Sequence, residues 1–441
     1  MPMGFAVVPK ADHYTVARAT VPVCLVDGVA LEAERDGLAP VDIGISAGRI
    51  ETITPSGPVI GPLVDCDGGM VFPCFVDAHT HLDKGHIWPR ASNPDGTFPG
   101  ALNAVMADRA AHWSADDVRA RMNFSLQSAY AHGTSAIRTH IDSIPAQVGI
   151  SWPVLAEMRE EWRGRIDLQA SSLCSIDTLA EPGFLDQLIK ALKAHGGTLG
   201  AVTYPTPNLQ SGLDLVFKAA LDHGLKLDFH VDETLDPSSL TLKVIAQTAL
   251  RFGWPQSGHG RIIAGHCCSM SVQDDAEIDR TLDLVASAGI AVVSLPMCNM
   301  YLQDRTVGRT PRRRGVTLLH EMKALGIPVM VASDNTRDPF YAYGDMDGLE
   351  VYRAATRILH FDHPVADWPA AITRTPADAC GFTGHGVIKA GAGADLVLFR
   401  GRTWTELLSR PESNRTVIRN GRAIDRTLPD YRDLDVLWSR S

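Results

Sequence analysis

The amino-acid sequence predicts an α/β fold: a (β/α)8 TIM barrel with a small β-sandwich domain that the N- and C-terminal segments build together. Over residues 71–383, apolar strand-like runs alternate with helical stretches, and this alternation indicates a parallel sheet. At both ends of the chain, short strand-like runs are instead joined by turn residues. We therefore expect residues 1–70 and 384–441 to form the two parts of the sandwich.

The two ends of the chain carry hairpin signals. Residues 41–46 and 49–53 flank Ala47-Gly48 in a hairpin pattern, and Asn420-Gly421 is a strong signal near the C-terminal end. Neither end is long enough to bury a good core alone, so we expect the two to pack together beside the barrel.

The middle of the chain contains repeated strand and helix patterns. Eight apolar runs have strand composition: residues 71–81, 133–140, 165–174, 198–204, 225–231, 261–267, 290–296 and 328–333. Helical stretches between them include residues 116–132, 183–195, 213–223, 275–288 and 317–325. Eight repeats imply a closed barrel. An open doubly wound sheet is the alternative, but no Gly-x-Gly-x-x-Gly turn follows a strand.

The amino-acid composition indicates which broad class of protein the chain belongs to. The chain has 441 residues, of which 45% are hydrophobic and 21% charged, and this balance is typical of a globular protein. A net charge of −10 without a basic tail argues against nucleic acid or a membrane surface as partner. The eight cysteines form no Cys-x-x-Cys pair, so we expect reduced thiols in a cytoplasmic protein without a signal peptide. We also expect a homo-oligomer that binds a small molecule.

The stretch around His79 and His81 follows an apolar run. In a strand, side chains at i and i+2 point to the same face, so the two imidazoles would project together. Neutral imidazoles are good ligands for zinc or ferrous iron. A bare His-x-His also arises by chance, with one histidine buried and the other exposed. Its place at a strand end favours a metal site.

Other predicted strands also end in polar residues. The active sites of (β/α)8 barrels lie at the C-terminal ends of the strands, where residues from several strands meet. The residues concerned are Arg138, His140, Asp142, Cys174, Ser175, Tyr204, His230, Asp232, Glu233, His266, Asp334 and Asn335. Chance would scatter such residues, so this recurrence predicts an active site.

Four of these residues make a plausible site for one divalent metal ion, namely His79, His81, His230 and Asp334. A metal held there lowers the pKa of water toward ~7. Glu233 could carry a proton between the water and a ring nitrogen of the substrate. His266 could hold the water or stabilise developing charge, and Asp334 could also take the water's proton. For His140 we favour a hydrogen-bonded core group.

These motifs resemble the amidohydrolase superfamily, specifically its cytosine deaminase-like branch. The resemblance spans nearly the whole chain in order. It rests on Asp77-Ala78-His79-Thr80-His81, Arg138-Thr139-His140-Ile141-Asp142, Phe229-His230-Val231-Asp232-Glu233, Gly265-His266, Asn299 with Leu302-Gln303, Arg313-Arg314-Gly315, Asp334-Asn335 with Asp338-Pro339, and Ala394-Asp395-Leu396-Val397. The resemblance implies that the four metal ligands bind zinc or iron, and that Glu233 and His266 act on the substrate.

The chain departs from that branch at residues that would contact the substrate. Ser175 stands where the family uses a glutamine to bind the oxo edge of a pyrimidine, Asn335 replaces a second aspartate, and Phe340 replaces a tryptophan. The stretch His81-Leu82-Asp83-Lys84 resembles enzymes that hydrolyse amino substituents from triazine rings, so Lys84 is a candidate substrate contact; a surface lysine is the alternative. The residues that match the metal ligands of that branch are retained, whereas the residues that would contact the substrate differ from it.

The leading hypothesis is a metal-dependent aminohydrolase. It would remove an amino group from a nitrogen heterocycle such as a pyrimidine or triazine, by attack of metal-activated hydroxide and release of ammonia. A second hypothesis is hydrolysis of a cyclic amide or of an N-substituted aminotriazine. A two-metal site bridged by a carbamylated lysine is disfavoured because residues 198–204 contain no lysine. A third hypothesis is a non-catalytic binding scaffold.

Overall fold

The computed structural model describes residues 5–438 of the chain. Its N-terminal part contains β1 (His13–Pro22), β2 (Val26–Asp27), β3 (Leu38–Ser46), β4 (Arg49–Pro55), β5 (Leu63–Asp65) and β6 (Val71–Pro73). Strands β4, β3, β1 and β5 form one sheet in that order. The predicted hairpin between β3 and β4 is confirmed. Its turn residues Ala47 and Gly48 both have positive φ, as a tight hairpin of this kind requires.

Eight parallel strands follow consecutively within the described residues. They are β7 (Phe75–Thr80), β8 (Thr134–Asp142), β9 (Asp167–Leu173), β10 (Leu199–Thr203), β11 (Leu227–Val231), β12 (Ile263–His266), β13 (Ala291–Ser294) and β14 (Val329–Val331). Strands β7 to β9 pair in parallel, as do β10 to β14. Parallel bridges join Ser171 to Thr198 and Thr80 to Asp334, so the two groups close on each other. The predicted closed barrel is therefore confirmed.

Strands of the C-terminal part pair with strands of the N-terminal part. It contains β15 (Ile388–Lys389), β16 (Leu396–Leu398), β17 (Thr416–Arg419) and β18 (Arg422–Ala423). Strand β15 pairs with β2, and a second sheet has the order β18, β17, β16, β6. One hydrophobic cluster contains Val16 and Ile43 from the first sheet together with Leu396 and Ile418 from the second. The two ends thus share buried apolar contacts, while a single β-sandwich with the boundaries given above stays a prediction.

The single strand predicted over residues 71–81 is wrong. The chain forms two strands, because β6 pairs antiparallel with β16 and only β7 enters the barrel. Pro73 has no N–H to donate to a ladder. The Cys74 N–H donates to the Asp395 carbonyl, whereas the next N–H, that of Phe75, donates to Gly133 beside the barrel strand β8. The chain therefore changes sheets at residue 74.

Ten of the described helices lie between barrel strands in the sequence, and the last four follow β14. They are α1 (Phe98–His112), α2 (Ala115–His132), α3 (Val148–Glu161), α4 (Ile176–Leu179), α5 (Phe184–His195), α6 (Leu209–His223), α7 (Thr241–Arg251), α8 (Asp275–Ser287), α9 (Pro296–Leu302), α10 (Leu319–Ala324), α11 (Gly348–Leu359), α12 (Arg374–Cys380), α13 (Trp404–Ser409) and α14 (Asp435–Trp438). Five of them confirm the predicted helical stretches. Among residues 5–438, no helix combines the length and the apolar character needed to cross a membrane.

Small apolar side chains fill part of the barrel interior. Val76 and Ala78 of β7 belong to one cluster with residues of β8, β12, β13 and β14, and residues of α12 join it. Strand β7 thus carries apolar side chains at these two positions and histidines at its C-terminal end. The interior is packed on one side and lined by polar groups on the other, as in barrels that carry a site at the strand ends.

Candidate functional site

The four predicted metal ligands meet at the C-terminal ends of β7, β11 and β14. Nε2 of His79 lies 3.1 Å from Nε2 of His230, which lies 3.4 Å from Nε2 of His81. Oδ1 of Asp334 lies 3.1 Å from Nε2 of His81 and 3.5 Å from Nε2 of His79. All four residues are buried. The structure therefore brings the four donor atoms around one point.

This donor set fits a divalent cation. Burial lowers the pKa of the three histidines well below the ordinary value and raises that of Asp334 to about 7. Neither carboxylate oxygen of Asp334 accepts a hydrogen bond within residues 5–438. Buried lone pairs without a partner are costly, and a cation among them would remove that cost. Neutral imidazoles with one carboxylate are ligands suited to zinc or iron.

Backbone and neighbouring groups fix the ligand positions. The carboxylate of Asp77 accepts hydrogen bonds from the N–H groups of His79 and Ser333, at 3.2 and 3.4 Å. The Asp334 N–H donates to the His79 carbonyl over 2.9 Å, and Thr80 Oγ1 donates to the Asp334 carbonyl over 2.9 Å. The first and last barrel strands are thereby joined beside the ligands they carry.

Gly265 of β12 lies against the ring of His79. A Cβ at residue 265 would be 2.8 Å from Cε1 and 3.0 Å from Nδ1 of His79. Carbon atoms do not approach so closely, so any larger residue would displace the imidazole. The glycine in the Gly265-His266 motif therefore makes room for a metal ligand.

Glu233 and His266 lie beside the ligands and share a contact with Asn299. Asn299 Nδ2 donates to Glu233 Oε1 over 3.3 Å and to His266 Nδ1 over 2.9 Å, and Nδ1 is 3.4 Å from the same Oε1. Burial and the nearby Asp334 raise the pKa of Glu233 well above its ordinary value, and burial lowers that of His266 to about 3. A carboxyl group with a raised pKa thus lies beside an imidazole with a lowered pKa, and groups with such shifted pKa values are suited to proton transfer.

His140 differs from the sequence prediction. It is buried, but neither ring nitrogen has a hydrogen-bond partner among the described residues. The prediction that His140 is a hydrogen-bonded core group is therefore wrong. Its ring centroid lies 3.9 Å from that of His79 and 4.6 Å from that of His230. His140 therefore packs against two of the predicted metal ligands and restricts where their rings can move.

A cavity of about 440 Å³ opens onto this site. Binding sites for small molecules commonly have a volume in the range of about 300–1,000 Å³. The residues that line the cavity are His81, Lys84, Phe98, Leu102, Val105, Met106, Arg109, Asp142, Ile144, Leu173, Cys174, Ser175, Thr178, Val202, Tyr204, His230, Glu233, His266, Asp334, Asn335 and Phe340. All four residues predicted to contact the substrate are among them.

The environments of these four residues differ. Lys84 is buried with Nζ 3.0 Å from Asp142 Oδ1, so the alternative of a surface lysine is wrong. Ser175 Oγ accepts from the Thr178 N–H over 3.0 Å and caps α4. Asn335 Nδ2 donates to Asp338 Oδ2 over 2.7 Å. The ring of Phe340 packs against that of Phe98, with centroids 5.3 Å apart.

Helix α1 forms one wall of the cavity and was not among the predicted helical stretches. Its lining residues follow the spacing of a single helical face, namely Phe98, Leu102, Val105, Met106 and Arg109. The periodicity i, i+4, i+7, i+8 was present in the sequence. Thr97, which caps the helix by accepting from the Gly100 N–H, was also a recognisable start signal.

The chain resembles known proteins over most of its length. Residues 180–425 match the amidohydrolase family. The chain is 52% identical over 439 residues to a pterin deaminase of Rhizobium rhizogenes, with 99% of each chain covered. The fold is similar to that of 5-methylcytosine deaminase from Klebsiella pneumoniae, with a TM-score of 0.80, 24% identity, and coverage of 94% of this chain and 98% of the other. The fold is also similar to that of an N-isopropylammelide isopropylaminohydrolase from Burkholderia multivorans. The TM-score is 0.75 at 24% identity, and the match covers 95% of this chain and 100% of the other.

Proposed function

The chain belongs to the amidohydrolase family and is a hydrolase of carbon–nitrogen bonds, and we propose that it deaminates a pterin, a fused ring system with an amino group on its pyrimidine ring. The observation that carries the proposal is the convergence of four residues beside Glu233 at one end of the cavity, namely His79, His81, His230 and Asp334. The relative that is 52% identical supports the pterin as substrate.

The ligands would hold one divalent ion, zinc or iron. Such an ion supplies Lewis-acid activation of water for attack on the carbon that bears the amino group. The four residues come from strand ends that the closed barrel brings together, so the site exists only in the folded chain. His140 and Gly265 support the proposal because they leave the ligand rings little freedom to turn away.

Glu233 is proposed as the group that moves the proton. In its protonated form the carboxyl can donate to the ring nitrogen next to the reacting carbon, where negative charge develops. It can then take the remaining proton of the added hydroxyl group and pass it to the leaving amine, and the proton first removed from the water restores the carboxyl. Asp334 lies beside His79 and His81, where the water would be activated, and is proposed to accept the water's first proton. Asn299 donates to His266 Nδ1, which leaves the imidazole proton on Nε2 and available to the oxygen that attacks.

The shape and lining of the cavity support a two-ring substrate. The inner end carries the histidines and carboxylates, and the remainder is largely apolar, with Phe98 and Phe340 packed against each other. Ser175 is too short to replace the amide that binds a pyrimidine oxo group, whereas the buried Lys84 can donate to such an oxygen. We propose that Lys84 takes over this contact, and that Asn335 and Phe340 shape the space around the ring.

An ammonia-release assay tests the proposal. Purified protein with measured metal content would be given pterin, cytosine, an aminotriazine and an N-alkylated aminotriazine. We expect ammonia from pterin, at a rate that falls when the metal is removed by a chelator and returns when zinc or ferrous iron is added. Turnover of the N-alkylated triazine with release of the alkylamine, and no ammonia from pterin, would contradict the proposal.

A further inference from the structure

Arg109 lies in the cavity wall, on the same helical face as the apolar residues of α1. We propose that its guanidinium binds a carboxylate substituent on the edge of the ring system that points away from the amino group. The proposal rests on the function proposed above and narrows its substrate class to acidic pterins.

Only one of the three guanidinium nitrogens of Arg109 donates a hydrogen bond within the described residues. Nη1 donates to Asp142 Oδ2 over 2.5 Å, while Nε and Nη2 make no hydrogen bond to any residue in the range 5–438. The side chain is only 13% exposed, so water reaches these donors poorly. A guanidinium presents its N–H groups in a planar fork that matches the two oxygens of a carboxylate. An acidic group on the substrate would satisfy the donors that the protein leaves free.

Asp142 holds this guanidinium in place. Its Oδ1 lies 3.0 Å from Nζ of Lys84, and its Oδ2 accepts from Arg109. The Asp142 N–H donates to Asp83 Oδ2 over 2.8 Å, which fixes the backbone at the end of β8. One carboxylate thus bridges two cations. The inner cation, Lys84, lies three residues after the predicted metal ligand His81, and the outer one, Arg109, lies on α1. A substrate lying along this wall would meet Lys84 with its inner ring and Arg109 with its outer edge.

The outer part of the cavity has no carboxylate that would repel such a substituent. Among the described residues that line it, the acidic side chains are Asp142, which is already paired with both cations, and Glu233 and Asp334 at the metal site. Val105 and Met106, four and three residues before Arg109 on the same helix, also line the cavity. In apolar surroundings an ion pair with a substrate carboxylate is stronger than in water.

The test compares two substrates, 2-amino-4-oxopteridine without a substituent and the same ring with a carboxylate at position 6. Wild-type protein is expected to have the higher kcat/KM for the acid. Arg109→Gln is expected to lower kcat/KM for the acid about 10–100-fold, which is the effect of losing a charged hydrogen-bonded pair. The loss should appear mainly in KM, and it should be at least about tenfold larger for the acid than for the unsubstituted pterin, which lacks the group that Arg109 is proposed to bind.

Two further variants separate the possible causes. Arg109→Lys keeps the charge without the fork and should recover part of the preference for the acid. Arg119→Gln removes an arginine whose side chain is 39% exposed and pairs with Glu157 outside the cavity, so it should leave both substrates unaffected. Metal content and melting temperature measured on each variant show whether the fold and the site are intact.

The outcomes distinguish this proposal from the function on which it rests. Equal losses on both substrates in Arg109→Gln would mean that the residue acts by positioning Asp142 and Lys84, and would overturn the proposal. A wild-type enzyme without preference for the acid would overturn it independently of any variant. Absence of ammonia release from either pterin would overturn the proposed function itself, while turnover of the unsubstituted pterin alone would overturn only the role of Arg109.

Discussion

Replacing Glu233 by glutamine is expected to abolish most activity while leaving the metal bound. Glutamine has nearly the same shape, and its amide oxygen can still accept the hydrogen bond from Asn299 Nδ2 that Glu233 Oε1 accepts over 3.3 Å. Glu233 is not one of the four ligands, so metal content and stability should stay near the wild-type values. The amide cannot, however, give up or take a proton under these conditions.

The size of the effect follows from the neighbours of Glu233. General acid–base catalysis typically contributes ~10²–10⁴-fold, or about 3–5 kcal/mol of barrier. Burial lowers the pKa of His266 to about 3, so this imidazole is neutral near pH 7 and is a poor substitute as an acid. Asp334 is one of the four proposed metal ligands, and a bound ion would hinder it from taking over the role of Glu233. We therefore expect kcat to fall at least ~10²-fold.

The assay combines metal analysis of the purified variant with steady-state kinetics on the substrate that the ammonia screen identifies. Glu160→Gln is a suitable control because Glu160 pairs with Arg163 on the exposed surface of α3. If Glu233→Gln retains more than about a tenth of wild-type kcat, well above the range for a lost general acid, Glu233 is not the proton carrier. Loss of metal together with activity would mean that Glu233 helps to hold the ion.

Three further results are expected. His230→Ala should lose metal and activity together, measured by elemental analysis and ammonia release; a variant that binds a full equivalent of metal would contradict the ligand assignment. Gly265→Ala should lower metal affinity in a chelator competition, because its Cβ would lie 2.8 Å from His79 Cε1; unchanged affinity would show that the ring can shift without cost. Cytosine should be a poor substrate, because Ser175 cannot pair with its oxo edge and unpaired buried groups cost about 1–3 kcal/mol each; efficient deamination of cytosine would refute this.

Local patterns in the sequence were sufficient for the barrel and for the candidate ligands. Strand and helix periodicity depend on neighbours within a few residues, so the alternation over residues 71–383 indicated the fold directly. The spacing of His79 and His81 placed both on one face of a strand, and strand-end positions selected His230 and Asp334. The division into β6 and β7 could not be predicted from local sequence, because the Cys74 N–H donates to the carbonyl of Asp395, far along the chain.

Closure of the barrel determines the geometry and the protonation of the site, which local sequence patterns do not. Distances between donor atoms of β7, β11 and β14 depend on long-range pairing, and so does the contact of Asn299 with both Glu233 and His266. Protonation was equally a tertiary property, since burial rather than residue type raises the pKa of Glu233. The role of Arg109 also arises only when α1 lies against the cavity, because a side chain acquires a function from the groups that surround it and the water they exclude.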